Sequence, residues 1–128
     1  MSELTGWAIF MIEGRNLAQV PLEASLGLKA DLLREGRSGM RFWQLNSRLS
    51  GSSSLSQHVE DILIRLLPAR RSVRSLPNGL EAKMICTVVR QKNERASFQL
   101  PGRLLLLIGA LHCQLEVYFD VADVGDEH

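Results

Sequence analysis

Behind Ser54, the apolar residues Leu55, Val59, Ile62, Leu63, Leu66 and Leu67 recur at the spacing of one helix face. Ser54 is followed three residues later by Gln57, a pairing that satisfies two orphan N–H groups at a helix start. A short helix with a single apolar stripe draws its stability from whatever covers that stripe. This segment therefore demands a second layer, and the rest of the chain has to supply it.

That layer reads as strands. Trp7–Ile12 is apolar on both alternating faces, which suits a central strand or one at an interface, and Glu13 to Asn16 end it with turn residues. Phe42–Ser47 is a second strand, with Trp43 and Leu45 on one face. In Leu80–Val89, Leu80, Ala82, Met84, Cys86 and Val88 face one way and Glu81, Lys83 and Thr87 the other. Cys113–Val121 alternates most cleanly, apolar at Cys113, Leu115, Val117, Phe119 and Val121 and polar between them.

Between the strands lie shorter elements. Val20–Leu26 reads as a short helix, with Pro21 at its first position and Gly27 as its stop. Arg34–Gly39 reads as an exposed loop. Pro68 kinks the long helix or opens a second short one through Arg74. Gln91–Arg95 reads as a hairpin-like turn, with Ser97–Gln99 as a short return strand. Leu104–Leu111 follows Pro101 and Gly102; its leucines favour helix, although periodicity alone leaves a buried strand open.

This order predicts an α+β fold: a mainly antiparallel sheet with helices packed on one face, ferredoxin-like, with two βαβ-like halves around a long central helix. At 128 residues the chain is one domain, 1–128, with an ordered core about 7–121 and an acidic tail 122–128. A chain of this length buries roughly two-thirds of its unfolded surface, enough to fold without a metal or disulfide. Its longest apolar run, at Leu104–Leu111, is far shorter than the ~20 residues of a membrane span. The start lacks a basic, signal-like segment, and Cys86 and Cys113 sit singly among apolar residues, as reduced thiols do. A cytoplasmic protein with free thiols is expected, a single disulfide being the lesser alternative.

The order and spacing of several residues resemble a known family. Ile12-Glu13-Gly14 ends a strand, and Leu17 precedes a short helix closed by Leu26-Gly27-Leu28. Glu35-Gly36 forms a loop, Trp43-Gln44-Leu45-Asn46-Ser47 a strand, His58-Val59 sits on the helix, and an alternating strand runs through Leu115 to Tyr118. Together they resemble the bacterial domain-of-unknown-function family 4279, from about Phe10 to Tyr118. The resemblance implies a bacterial origin and a fold, and no particular activity. His112 stands where such proteins often place Gly after the last helix; histidine enters left-handed backbone more readily than most residues.

Catalytic chemistry finds little support. The three histidines, at 58, 112 and 128, show no metal-ligand spacing, so no metal and no cofactor are expected. There is no nucleophile elbow, no phosphate-binding glycine loop, and no local base beside either cysteine. Glu60 and Asp61 read as solvated charges on the polar side of the long helix. Trp7, Phe10, Phe42 and Trp43 read as a core cluster rather than base-stacking rings.

Charge is distributed unevenly although the net value is only +1, which gives no global reason to bind nucleic acid or membrane. Residues 65–103 hold nine basic and two acidic residues, and residues 104–128 hold five acids and no Lys or Arg. The leading expectation is a non-catalytic protein-interaction module. Arg70, Arg71 and Arg74 would engage an acidic protein partner or a second copy of the chain. Immunity proteins that neutralise toxins offer an analogy of size and fold. The alternative is a small-molecule-binding domain with a pocket near Trp43, Arg37 and Arg41.

Overall fold

The computed structural model describes residues 5–15, 17, 21–51, 53–91 and 98–122. Five strands, β1 (Thr5–Gly14), β2 (Leu32–Glu35), β3 (Arg41–Asn46), β4 (Glu81–Gln91) and β5 (Gln114–Ala122), form one sheet in the order β2-β3-β1-β4-β5. Every neighbouring pair is antiparallel except β4 and β5, which run parallel. The α+β class and the mainly antiparallel sheet are as the sequence predicts. The helices are α1 (Leu22–Leu26), α2 (Leu55–Leu66), α3 (Arg70–Arg74) and α4 (Gly102–Ala110).

β1 lies in the middle of the sheet, with Ala8, Phe10 and Ile12 on the core face and Met11 buried but Trp7 exposed on the other. Phe10 pairs with Leu45 on one side and Met84 on the other. All three are buried, beneath the stripe Val59, Ile62, Leu63 and Leu66 of α2. Each such side chain contributes ~1.5–3 kcal/mol on burial. The capping box at Ser54 and Gln57 forms as expected: Gln57 N–H donates to Ser54 Oγ at 3.3 Å and Ser54 N–H to Gln57 Oε1 at 2.8 Å. Pro68 falls in a 3-10 turn, Leu67–Ala69, which hands the chain on to α3.

Two left-handed residues punctuate the helices. Gly27 closes α1 at φ 69°, its N–H donating to the Glu23 carbonyl, and a Cβ in that conformation would be strained. His112 closes α4 at φ 55°, its N–H bonding Gly109 O while Cys113 N–H bonds Ile108 O. This is the paired hydrogen-bond ending of a helix with histidine in the usual glycine position.

Several expectations are corrected. Leu32–Glu35 is a strand, so Arg34 and Glu35 leave the predicted loop; all four residues are exposed, and no alternation announces them. Phe98 and Gln99 are not in a strand, Ser97 lies outside the described residues, and the chain reaches β5 by crossing over through α4. Of the predicted turn Gln91–Arg95, Gln91 belongs to β4 and the rest lies outside the described residues. Trp7 is 47% exposed rather than in the core, and Phe42 is only partly buried, beneath the Arg34 guanidinium at 5.3 Å. Among the described residues, no helix is long and apolar enough to cross a membrane.

Candidate functional site

α1 is only five residues long, so it covers little of the sheet beside it. Its Leu22 and Leu26 are buried, and Gly27 turns the chain away. What remains between α1 and the β2–β3 end of the sheet is a cleft of about 690 Å³. Pro21, Leu22 and Ala24 form one wall, and Leu33 and Trp43 the other. Glu23, Arg34, Glu35 and Arg41 add charge.

Trp43 is the anchor of this region. It is 2% exposed and meets Phe10 nearly edge to face, with centroids 6.3 Å apart and planes at 85°. Its indole Nε1 is buried and finds no acceptor among the described residues. A buried donor without a partner costs ~1–3 kcal/mol, which an acceptor brought by a ligand would relieve. At the rim, Arg41 pairs with Glu35 at 2.8 Å, both side chains exposed, so that pair is weak and exchangeable. Of the residues expected near a pocket, Trp43 and Arg41 line the cleft. Arg37 does not; it lies in the exposed turn Arg37–Gly39.

The arginines of α3 diverge. Arg70 and Arg74 border a crevice of about 60 Å³ floored by Leu63, Leu67, Leu107 and Leu111, whereas Arg71 borders a separate groove with Pro21 and Ser72. Arg70 Nη1 donates to the Leu67 carbonyl at 3.0 Å. The wider basic run is dispersed by its partners. Lys83 is held by Glu13 at 2.5 Å and Glu116 at 3.6 Å, and Arg103 is paired with Glu60. Arg65 sits between Asp61 at 3.4 Å and Asp31 at 3.9 Å while donating to the Asn46 carbonyl. Glu60 and Asp61 are therefore structural partners, a correction to their reading as solvated charges; Asp61 also accepts the Arg48 N–H at 3.0 Å.

One constellation lies outside the sequence reading. Ser47 Oγ is hydrogen-bonded to Nδ1 of buried His58. A hydroxyl on an imidazole is how an activated nucleophile begins. Here the second ring nitrogen, Nε2, is buried without a partner, and neither residue lines the cleft. The pair ties the end of β3 to α2. Its only sequence signal was the appearance of both residues in the family-like pattern.

Both cysteines are free. Burial pushes the Cys86 thiol up to about 11 and, with Cys86 nearby, the Cys113 thiol up to about 12. Neither is a thiolate near neutral pH. Among the described residues no group of three His, Cys, Asp or Glu gathers to hold a metal.

Residues 5–122 match the model of DUF4279, a domain of unknown function. No curated protein and no solved structure matches the chain.

Proposed function

We propose that this chain, which belongs to the DUF4279 family, is a binding module rather than an enzyme, holding a small and largely apolar molecule in the cleft beside Trp43. The observation that carries this reading is the cleft itself. Its volume of about 690 Å³ falls in the range of small-molecule sites, and its apolar walls are joined by four charged residues, Glu23, Arg34, Glu35 and Arg41. Of these charges Glu35 and Arg41 already pair with each other, which favours binding over proton transfer. The test uses a Trp7→Phe background, so that Trp43 is the sole tryptophan fluorophore. A panel of small apolar compounds is titrated while Trp43 emission is followed. Saturable binding that Ala24→Phe abolishes, with folding intact, supports the reading; absence of saturable binding, or binding indifferent to Ala24→Phe, overturns it.

A second reading keeps the interaction role, including an immunity-type one, and places an acidic partner on α3. It is favoured by the apolar crevice between Arg70 and Arg74, where an aliphatic side chain would sit between two guanidinium groups. Arg71 and Arg74 also have no ion-pair partner among the described residues.

For the architecture, we read β1, α1, β2, β3, α2 and β4 as a ferredoxin-like split βαβ unit, to which α4 and β5 are added at the β4 edge. Support comes from the strand order β2-β3-β1-β4, antiparallel throughout. In that reading α2, lying over the middle strand β1, is the long central helix.

A further inference from the structure

The burial of β5 disagrees with its sequence pattern. Its register sets Leu115 beside Met84, Val117 beside Cys86 and Phe119 beside Val88, on the face that β4 presents to the core. The β4 residues are buried, whereas Leu115 is 37% exposed, Phe119 50% and Val121 43%. A strand written with a clean apolar face is thus only half covered. It is also an edge of the sheet, with its outer ladder unpaired among the described residues. Over its nine residues it carries no Pro or Lys, and its two charges, Glu116 and Asp120, lie on the face opposite the apolar row. The opposite edge, β2, has only four residues and two of them are charged, Arg34 and Glu35.

We propose that β5 pairs antiparallel with β5 of a second copy of this chain, continuing the sheet across a two-fold axis at Val117. A second copy is chosen because the strand is complementary to itself in that register. Leu115 then faces the partner's Phe119 on the apolar side, and Glu116 faces the partner's Tyr118 on the other. The latter is a matched donor and acceptor; within one chain Tyr118 Oη already donates to Glu116 Oε1 at 3.1 Å. Centring the axis one residue later, at Tyr118, would set Glu116 against the partner's Asp120, two like charges directly opposed. Of these two registers the side chains favour the one centred at Val117, which sets the half-covered apolar row of one chain directly beside that of the other.

The experiment is sedimentation equilibrium of the full chain over a concentration series, with circular dichroism and thermal melting of every variant to establish folding. The wild type is expected to dimerise. Phe119→Lys and Tyr118→Glu each act twice across the axis and are expected to weaken dimerisation about tenfold. Tyr118→Lys, which faces the partner's Glu116, is expected to keep it. A fourth chain ending at Ala122 asks whether residues 123–128 occupy the edge instead. A wild type that is monomeric at every concentration overturns the proposal, and so does a dimer indifferent to both weakening variants. Dimerisation of the shortened chain alone assigns the edge to those residues and overturns it too. Loss of the dimer in Tyr118→Lys as well as Tyr118→Glu overturns the register.

Discussion

Ser47 and His58, eleven residues apart, are joined by a hydrogen bond from hydroxyl to Nδ1 that fastens the end of β3 to the first turn of α2. His58 is buried, and its other ring nitrogen has no partner, so this bond is the ring's one polar anchor among the described residues.

Ser47→Ala is therefore expected to leave a buried imidazole with no partner at all, at a cost of ~1–3 kcal/mol. Urea unfolding measures the loss. Replacing both residues, Ser47→Ala with His58→Leu, is expected to recover part of it, because no polar group is then stranded. A catalytic pair would in addition leave an activity to lose.

Trp43→Ala is expected to cost ~3–5 kcal/mol, the range for emptying a large aromatic from a core. Trp43→Phe keeps the contact with Phe10 and removes the unpartnered N–H, so it should cost less than half as much. Thermal or denaturant melts of both variants decide. Equal losses would show that the full size of the indole ring, and not its contact with Phe10 alone, carries the stability.

The two thiols should be counted only after denaturation. Native protein is expected to label slowly with a thiol reagent near neutral pH, and denatured, unreduced protein to release both Cys86 and Cys113 at once. Both thiols sit above the ordinary 9.0, at about 11 and about 12. The folded state thus favours their protonated form. That contribution is whole below pH 9.0 and is lost as pH rises through 11 and 12. Lys83 moves the same way: its hydrogen bond to Glu13 leads in raising it above 10.5. Stability measured by melting should fall steadily from about pH 9 upward.

If α3 docks an acidic partner, Arg71→Glu with Arg74→Glu should abolish a salt-sensitive association while shifting stability by only a few tenths of a kcal/mol. Arg70 is left intact because its bond to the Leu67 carbonyl supports the preceding turn. The measurement is binding of a defined acidic partner across a salt series; retention of that binding by the double variant removes the surface from consideration.

Local signals made much of the fold legible. The capping box, the apolar stripe of α2, Gly27 and the alternation of β4 and β5 are each written within a dozen residues, and each formed. β2 was not legible, because none of its four residues is buried and what holds them to β3 is backbone pairing with exposed contacts of Arg34 and Glu35. The parallel sense of β5 was equally hidden: alternation records which face a residue takes, not the direction of its neighbour. At the cleft, Trp43 and Arg41 could be named from sequence. The opposite wall came from Pro21, Leu22 and Ala24, whose approach depends on where α1 is laid. The arginine run illustrates the reverse failure. Counting charges predicted one basic face, but Lys83, Arg65 and Arg103 are each claimed by carboxylates from distant segments, Glu13, Asp31 and Glu60.

The crossover through α4 also sets the order in which the sheet can close. β2 and β3 are neighbours along the chain and can zip from the short turn between them. β5 has no such start, because a parallel partner cannot be reached by a tight turn; Lys83 meets Gln114 only after the whole intervening segment has been folded back. The last strand is thus joined only by closing a loop of about thirty residues, and the β1–β4 pairing only by closing a longer one, so neither contact can start from a tight turn.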